Sequence, residues 1–445
     1  MTMAAIDQAN MTLDDALAAA EARYVEANPA SAAAFREAQA VMPGGNTRSV
    51  LHFSPFPLGI REGEGAWLTD ADGHRLLDFV GEFSAGLYGH SEPRIRRAID
   101  EALDHGTVLG GPNRYEAAFA RAICDRFPAI ERVRFCNSGT EANLYALSAA
   151  RAFTGRDDVM VLSGAYHGGT FTFSGPNPLN VPFPWHEIAL NDIEGAREAI
   201  RRLGDRLAAV IVEPMMGAGG CFPASPGFLT ALREETERTG VMLVFDEVMT
   251  SRMAPGSVHG LFGIRPDLVT LGKYVGGGMT FGAFGGRADL MARFDPSTPD
   301  YWGHAGTFNN SVVTMAAGLA GLTEVLTPAA LEALNARGER LRDGMRRAID
   351  DLDLPMQVNG MGSMTAFHFA TRAAERPEDL PAVSPGLRAL IHLELIARGL
   401  YTARRGLVAL SLPVTDADID RFLAGFHAVL EENTTIIRRH LDVPA

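Results

Sequence analysis

The stretch Asp267–Arg287, DLVTLGKYVGGGMTFGAFGGR, sets an apolar run against a glycine-rich loop that opens on one lysine, Lys273, and returns into a second apolar run, GAFGG. Working outward from it, short apolar runs of the same kind recur upstream as VRFC, VMVLS, AAVIVEP and VMLVFDE, separated by helical patterns such as LYALSAARAFTG and GFLTALREETERTG. Strand-length runs alternating with helix-length segments predict an α/β domain with a mostly parallel sheet, here over residues 80–325. Beyond it, residues 326–445 carry long amphipathic helices (LEALNARGERLRDGMRRAIDDL), a few strands (MTAFHFA, LVALSLP) and a closing helix after Thr415-Asp416, and read as a smaller α+β domain. Residues 1–79 read as an N-terminal arm and part of that small domain: an amphipathic helix, a turn at Met42–Asn46, and a hairpin in GAWLTDADGHRLLDF turning at Asp72-Gly73. There is no internal repeat and no low-complexity segment.

The 445 residues are 47% hydrophobic and carry a net charge of −14. Such a surface repels nucleic acid and anionic membranes, so an anionic substrate has to be captured by local arginines. Cys124, Cys136 and Cys221 are far apart and show no CxxC spacing, which argues against a disulfide framework or a structural metal site and suits a reducing cytoplasm. The acidic start and the lack of a bilayer-length apolar stretch predict neither a targeting nor a spanning segment.

In an open parallel sheet, ligands bind at the carboxyl ends of the strands. VRFC is followed by Ser138, Gly139 and Thr140 at a helix start, where N–H groups, hydroxyls and the positive helix end suit a phosphate, although helix capping alone explains such residues. VMVLS leads to Tyr166 on a glycine-rich loop, able to stack on a planar heterocycle or simply to pack on the surface; its neighbour His167 reads as structural. Glu213 ends AAVIV, and Asp246 ends VMLVF. A buried carboxylate needs a cationic partner, and a protonated pyridine nitrogen supplies one for Asp246, with Val248 against the ring face. Lys273 follows DLVTL; desolvation lowers an amine's pKa and frees its lone pair for a Schiff base, while an ordinary surface lysine stays open. Phosphate cradle, stacking aromatic, anionic strand end and buried lysine together describe a site for pyridoxal 5′-phosphate.

The combination NSGTEAN, YHG, VEP, FDEV and TLGKYVGGGMTFGAFGGR resembles the class III aminotransferases of pyridoxal-phosphate fold type I, from about Met42 to the C-terminus. By motif the nearest groups are the β-phenylalanine and other β-amino-acid aminotransferases and the glutamate-1-semialdehyde aminomutases. The resemblance implies that Ser138, Gly139 and Thr140 bind the phosphate, Tyr166 stacks on the ring, Asp246 meets the pyridinium nitrogen and Lys273 carries the cofactor. It also implies a homodimer with the site at the interface, where Thr307 reaches the neighbouring subunit's phosphate.

Two departures narrow the substrate. The aminomutases carry a long mobile loop after YHG, whereas Tyr166–Ile188 here offers a short one, which favours transamination. Many class III enzymes pair a glutamate in VEPxxGEAG with a switch arginine; this sequence reads VEPMMGAGG, with Ala218 in that place. Arg48 resembles the carboxylate-binding arginine of β-phenylalanine aminotransferases, and Arg405 is a second candidate; either guanidinium grips a carboxylate bidentately, and either can instead be a solvated surface group. The expectation is a ping-pong aminotransferase passing nitrogen from a β-amino acid to 2-oxoglutarate or pyruvate. An aminomutase, a broad amine transaminase and a silent protein of the same fold are the alternatives.

Overall fold

In the computed structural model, residues 11–441 are described. The N-terminal part of the expected first helix lies outside them; its described part forms Leu13–Ala27, followed by Pro29–Gln39. A seven-stranded sheet forms the centre: β1 (Arg132–Cys136), β2 (Asp158–Leu162), β3 (Trp185–Ile188), β4 (Leu207–Val212), β5 (Met242–Asp246), β6 (Leu268–Gly272) and β7 (Gly282–Gly286). Their spatial order is β1-β7-β6-β5-β4-β2-β3. The neighbours from β6 through β3 pair in parallel, and β7 runs antiparallel to both β6 and β1. β2, β4, β5, β6 and β7 are buried along their whole length. Helices therefore cover both faces, and this is why these strands read as unbroken apolar runs instead of alternating ones.

Six of the seven strands coincide with the apolar runs of the sequence. The edge strand β3, WHEI, does not, because its polar residues and partial exposure give it no apolar run to detect. Among the described residues no single helix is long and apolar enough to cross a membrane.

The helix Gly139–Thr154 follows β1 directly and lies across the sheet. Ser138 caps it, its hydroxyl accepting from the Glu141 N–H at 3.1 Å, and Gly155 ends it at φ +66°. Its buried face is small, Ala142, Ala146, Ala149 and Ala150 with Leu147, and this lets it approach the sheet closely.

The chain's two ends build one further layer. The hairpin Trp67–Asp70/Arg75–Asp78 turns at Asp72-Gly73 as expected, and its second strand pairs in parallel with Leu400–Tyr401. The helix Leu13–Ala27 packs on Pro385–Ala397. Downstream, the strands Met356–Met361, Met364–Phe369 and Leu407–Ala409 form an antiparallel sheet under the helices Pro328–Asp351 and Asp416–Glu432. The last of these starts at a capping box in which Thr415 and Asp418 satisfy each other's N–H groups.

Candidate active site

The carboxyl ends of β4, β5 and β6 and the start of the helix Gly139–Thr154 converge on a cavity of about 120 Å³. Gly139, Thr140, Tyr166, Glu213, Asp246, Val248 and Lys273 all line it, joined by Asn143, His167, Gly168 and Met249. Residues separated by up to 134 positions in the chain thus share one pocket because parallel strands deliver their ends to the same edge.

Asp246 is 4% exposed and makes three hydrogen bonds. Its Oδ2 accepts from His167 Nδ1 and from Asn143 Nδ2, both at 2.8 Å, and its Oδ1 accepts from the Val248 N–H at 3.0 Å. Burial by itself raises its pKa, but the His167 bond and charge, the Val248 N–H and the charge of Lys273 outweigh burial and hold it below the usual carboxylate range. His167, read from the sequence as structural, is thus the residue against which Asp246 is fixed. Its Nε2 is buried and has no hydrogen-bond partner among the described residues.

Asn143 went unnoticed in the sequence. It sits one turn after Gly139 on the same helix face and spends its whole amide on the site: Nδ2 also donates to the His167 carbonyl at 2.8 Å, and Oδ1 accepts from Thr270 Oγ1 at 2.6 Å. The signal was present in NSGTEAN, where i and i+4 share a face.

Glu213 is equally buried. Its Oε1 accepts from the Tyr166 N–H at 3.1 Å and its Oε2 from the Gly217 N–H at 3.0 Å, tying together two loops of the pocket. Burial pushes its pKa up, His167 and the two N–H groups pull against that, and Asp246 adds to the rise. Tyr166 itself is 41% exposed, its ring free to cover a ligand.

Lys273 takes the left-handed backbone conformation, φ +54°, directly after β6. Burial lowers its pKa; the charges of Asp246 and Glu213 oppose that, and those of Arg405 and Arg48 reinforce it. Its amine therefore releases a proton more readily than a free lysine does.

The phosphate-cradle candidates divide by atom. Ser138 uses its hydroxyl oxygen as the helix cap, leaving the O–H to donate. Gly139 and Thr140, in the first turn, have N–H groups with no helical partner. A Cβ on Gly139 would come within 2.9 Å of Val248 Cγ2, and one on Gly168, at φ +127°, within 2.2 Å of Thr140 Oγ1. Both glycines are needed for the walls to close as they do. Thr307 lies on the exposed segment 301–308 and does not line its own chain's cavity.

The two arginines meet at Phe83. Arg48 Cζ lies 5.4 Å and Arg405 Cζ 5.3 Å from the centre of that ring. Arg48 is ion-paired with Glu82. Arg405 is partly buried, and burial lowers its pKa; among the described residues no carboxylate forms an ion pair with it, in keeping with Ala218 in VEPMMGAGG. Phe83 and Glu82 carried no sequence signal, since the turn that presents them is a backbone property and only Gly81 hints at it.

The family described as Aminotransferase class-III matches residues 52–430. The β-phenylalanine transaminase of Variovorax paradoxus is 52% identical over 99% of this chain and 100% of its own length. A crystal structure of a β-phenylalanine aminotransferase from the same organism superposes with a TM-score of 0.94 over 96% of this chain and 99% of that one, at 52% identity. A glutamate-1-semialdehyde 2,1-aminomutase of Laribacter hongkongensis is 39% identical over 87% of this chain and 95% of its own. This chain therefore belongs to the class III aminotransferases, pyridoxal 5′-phosphate enzymes of fold type I.

Proposed function

We propose that the enzyme transfers the amino group of a β-amino acid, such as β-phenylalanine, to a keto acid, 2-oxoglutarate or pyruvate, in a ping-pong cycle. The observation that carries this reading is the pairing of two arginines on one aromatic ring, with the charges of both acting on the amine of Lys273. The 52% identity to a β-phenylalanine transaminase supports it.

The residues of the cavity fit the cofactor. The free N–H groups of Gly139 and Thr140, with the hydroxyls of Ser138 and Thr140, would hold its phosphate; Val248 and Tyr166 would cover the ring; Asp246, below the usual carboxylate range, would face a protonated ring nitrogen. The unpartnered His167 Nε2 lies in the same wall. Glu213 keeps the Tyr166 loop in place through that residue's N–H. Thr307 would complete the phosphate site of a second copy in a homodimer, which suits its exposed position outside its own cavity. When bound, the cofactor supplies an aldehyde for the amine and a sink for the electron pair left when the adjacent carbon loses its proton.

Everything else falls to the chain. Lys273, the pKa of its amine lowered by burial, would take the proton from the carbon that bears nitrogen and deliver it to the cofactor side before the keto acid leaves, and with the acceptor it would carry the proton the opposite way. Asp246 keeps its charge throughout because three donors stabilise it. Arg48 binds the donor's carboxylate as a planar fork. Arg405, with no carboxylate ion-paired to it among the described residues, takes a carboxylate of the acceptor.

The aminomutase reading draws on the 39% identity to such an enzyme. Against it stands the segment after Tyr166, which is fastened down rather than free to open and close over a released intermediate. Thr172 and Asn180 exchange two hydrogen bonds, 2.9 and 2.8 Å, and Phe171, Phe173 and Phe183 pack around Trp185. The test is to supply the cofactor-loaded protein with (S)-β-phenylalanine and 2-oxoglutarate or pyruvate, and separately with glutamate-1-semialdehyde alone. Glutamate or alanine from the first mixtures without 5-aminolevulinate from the second is expected; 5-aminolevulinate alone would replace this reading with the mutase.

A further inference from the structure

The rim of the site holds a carboxylate of the protein's own where the proposed function needs the substrate's. Arg48 is ion-paired with Glu82, and both side chains are about half exposed, 41% and 59%. Glu82 is not on a pliant loop. It lies in Gly81-Glu82-Phe83-Ser84, four successive residues at φ +51°, +49°, +53° and +78°, a left-handed turn that three L-residues with side chains enter only under constraint.

The constraint is visible at both ends of the turn. Asp78 Oδ1 accepts from the N–H groups of Val80 and Gly81 at 2.8 and 3.0 Å, and the Gly86 N–H returns to the Gly81 carbonyl at 2.8 Å. From the other side Arg252, 1% exposed, donates to the Ser84 carbonyl at 3.3 Å, to Ser363 Oγ at 3.1 Å and to the Leu410 carbonyl. Glu82 is therefore presented by a fixed backbone. Arg48 is a long side chain that can leave it, and the same turn carries Phe83, the ring that both arginines touch. Glu82 and Phe83 also line a cavity of about 610 Å³ bounded by Phe35, Leu51, Leu58 and Tyr401, which gives a displaced Glu82 side chain room to turn.

We propose that Glu82 is an internal competitor for Arg48: it occupies the guanidinium in the free enzyme, gives it up to the carboxylate of the amino donor, and takes it back as the keto acid leaves. The inference rests on the reading of Arg48 as the donor-carboxylate site. A monodentate, half-solvated glutamate is a weak occupant. An incoming carboxylate that meets the guanidinium squarely can displace it, whereas small or poorly aligned anions cannot. Glu82 thereby acts as a specificity-determining residue that a plain amine never meets.

The bland alternative is that Glu82 only adds negative charge near the entrance and repels every acid alike. A double-mutant cycle separates the two. In the cofactor-loaded enzyme, Glu82→Gln, Arg48→Ala and the double variant are compared by KM for (S)-β-phenylalanine and by the inhibition constant of 3-phenylpropionate, which keeps the ring and carboxylate but has no amine to react. KM for 1-phenylethylamine is the control.

Glu82→Gln is expected to lower both constants about two- to fivefold, the range for releasing a half-exposed ion pair, to do nothing further once Arg48 is Ala, and to leave the amine's KM in place. The same improvement in the Arg48→Ala background, or none in the wild-type background while Arg48→Ala alone weakens acids, overturns the competitor and leaves Arg48 as the carboxylate site. If Arg48→Ala itself leaves the acids bound as tightly as before, the reading of Arg48 falls, and the competitor falls with it.

Discussion

The floor and the rim of the site are built on opposite terms. At the floor, Asp246, Asn143, His167, Thr270 and the Val248 N–H form a connected network of hydrogen bonds between 2.6 and 3.0 Å, with Asp246, Asn143 and Thr270 on three different elements and each nearly or wholly buried, and with His167 Nε2 left unpartnered among the described residues. At the rim, Arg48 is half exposed and paired with a replaceable partner, Arg405 has no acid partner among the described residues, and both rest on one phenylalanine. A buried network is strong only when complete, since a lost partner strands the others in a medium that cannot solvate them. A half-solvated ion pair can be exchanged at little cost. The floor therefore fixes what the enzyme does, and the rim leaves open what it does it to.

Removing the amine proposed to do the chemistry above that floor has the largest expected effect. Lys273→Ala should reduce turnover by at least about 10²–10⁴-fold, the range for losing a positioned acid–base group, and borohydride reduction should leave no cofactor mass on the peptide that contains position 273. Wild-type turnover in that variant would take Lys273 out of the chemistry altogether.

Breaking the network beside it costs stability instead. Asn143→Ala removes partners from Asp246, the His167 carbonyl and Thr270 at once, and should lower the urea midpoint by the equivalent of about 1–3 kcal/mol, the penalty for leaving buried polar groups unsatisfied. An unchanged midpoint would mean that the floor is not the coupled network its distances describe.

The smallest effect is in pH dependence. Asp246 has a pKa held below its unfolded value, so its contribution to stability is fully present above the ordinary carboxylate pKa of about 3.9 and is lost as pH falls through the lower folded value. The stability advantage of the wild type over Asp246→Asn should be full at neutral pH and shrink in acid. Parallel acid-unfolding curves would mean that Asp246 is not held below its ordinary range.

The same division explains what could be read from the sequence. Asp246, Glu213 and Lys273 were legible, because buried parallel strands write themselves as apolar runs and these three stand where those runs stop; the partners of Asp246 were not. Asn143 escaped because a polar residue inside a helix looks like a surface position until its partners are known. The rim was legible only in Arg48 and Arg405. Phe83 and Glu82 are brought to the site by four left-handed residues, and three of those four have side chains that give no warning of that conformation. The edge strand β3 was missed for a related reason: a strand with one free side need not be apolar.

Arg48 is the residue proposed to join the floor to a carboxylate-bearing substrate. The decisive measurement is kcat/KM for (S)-β-phenylalanine and for 1-phenylethylamine, in the wild type and in Arg48→Ala. A charge-assisted hydrogen-bonded contact contributes about 1.5–3 kcal/mol, so the β-amino acid should lose roughly 10- to 150-fold while the amine changes little. Equal losses for the two substrates would make Arg48 a structural residue and contradict the assignment of the rim.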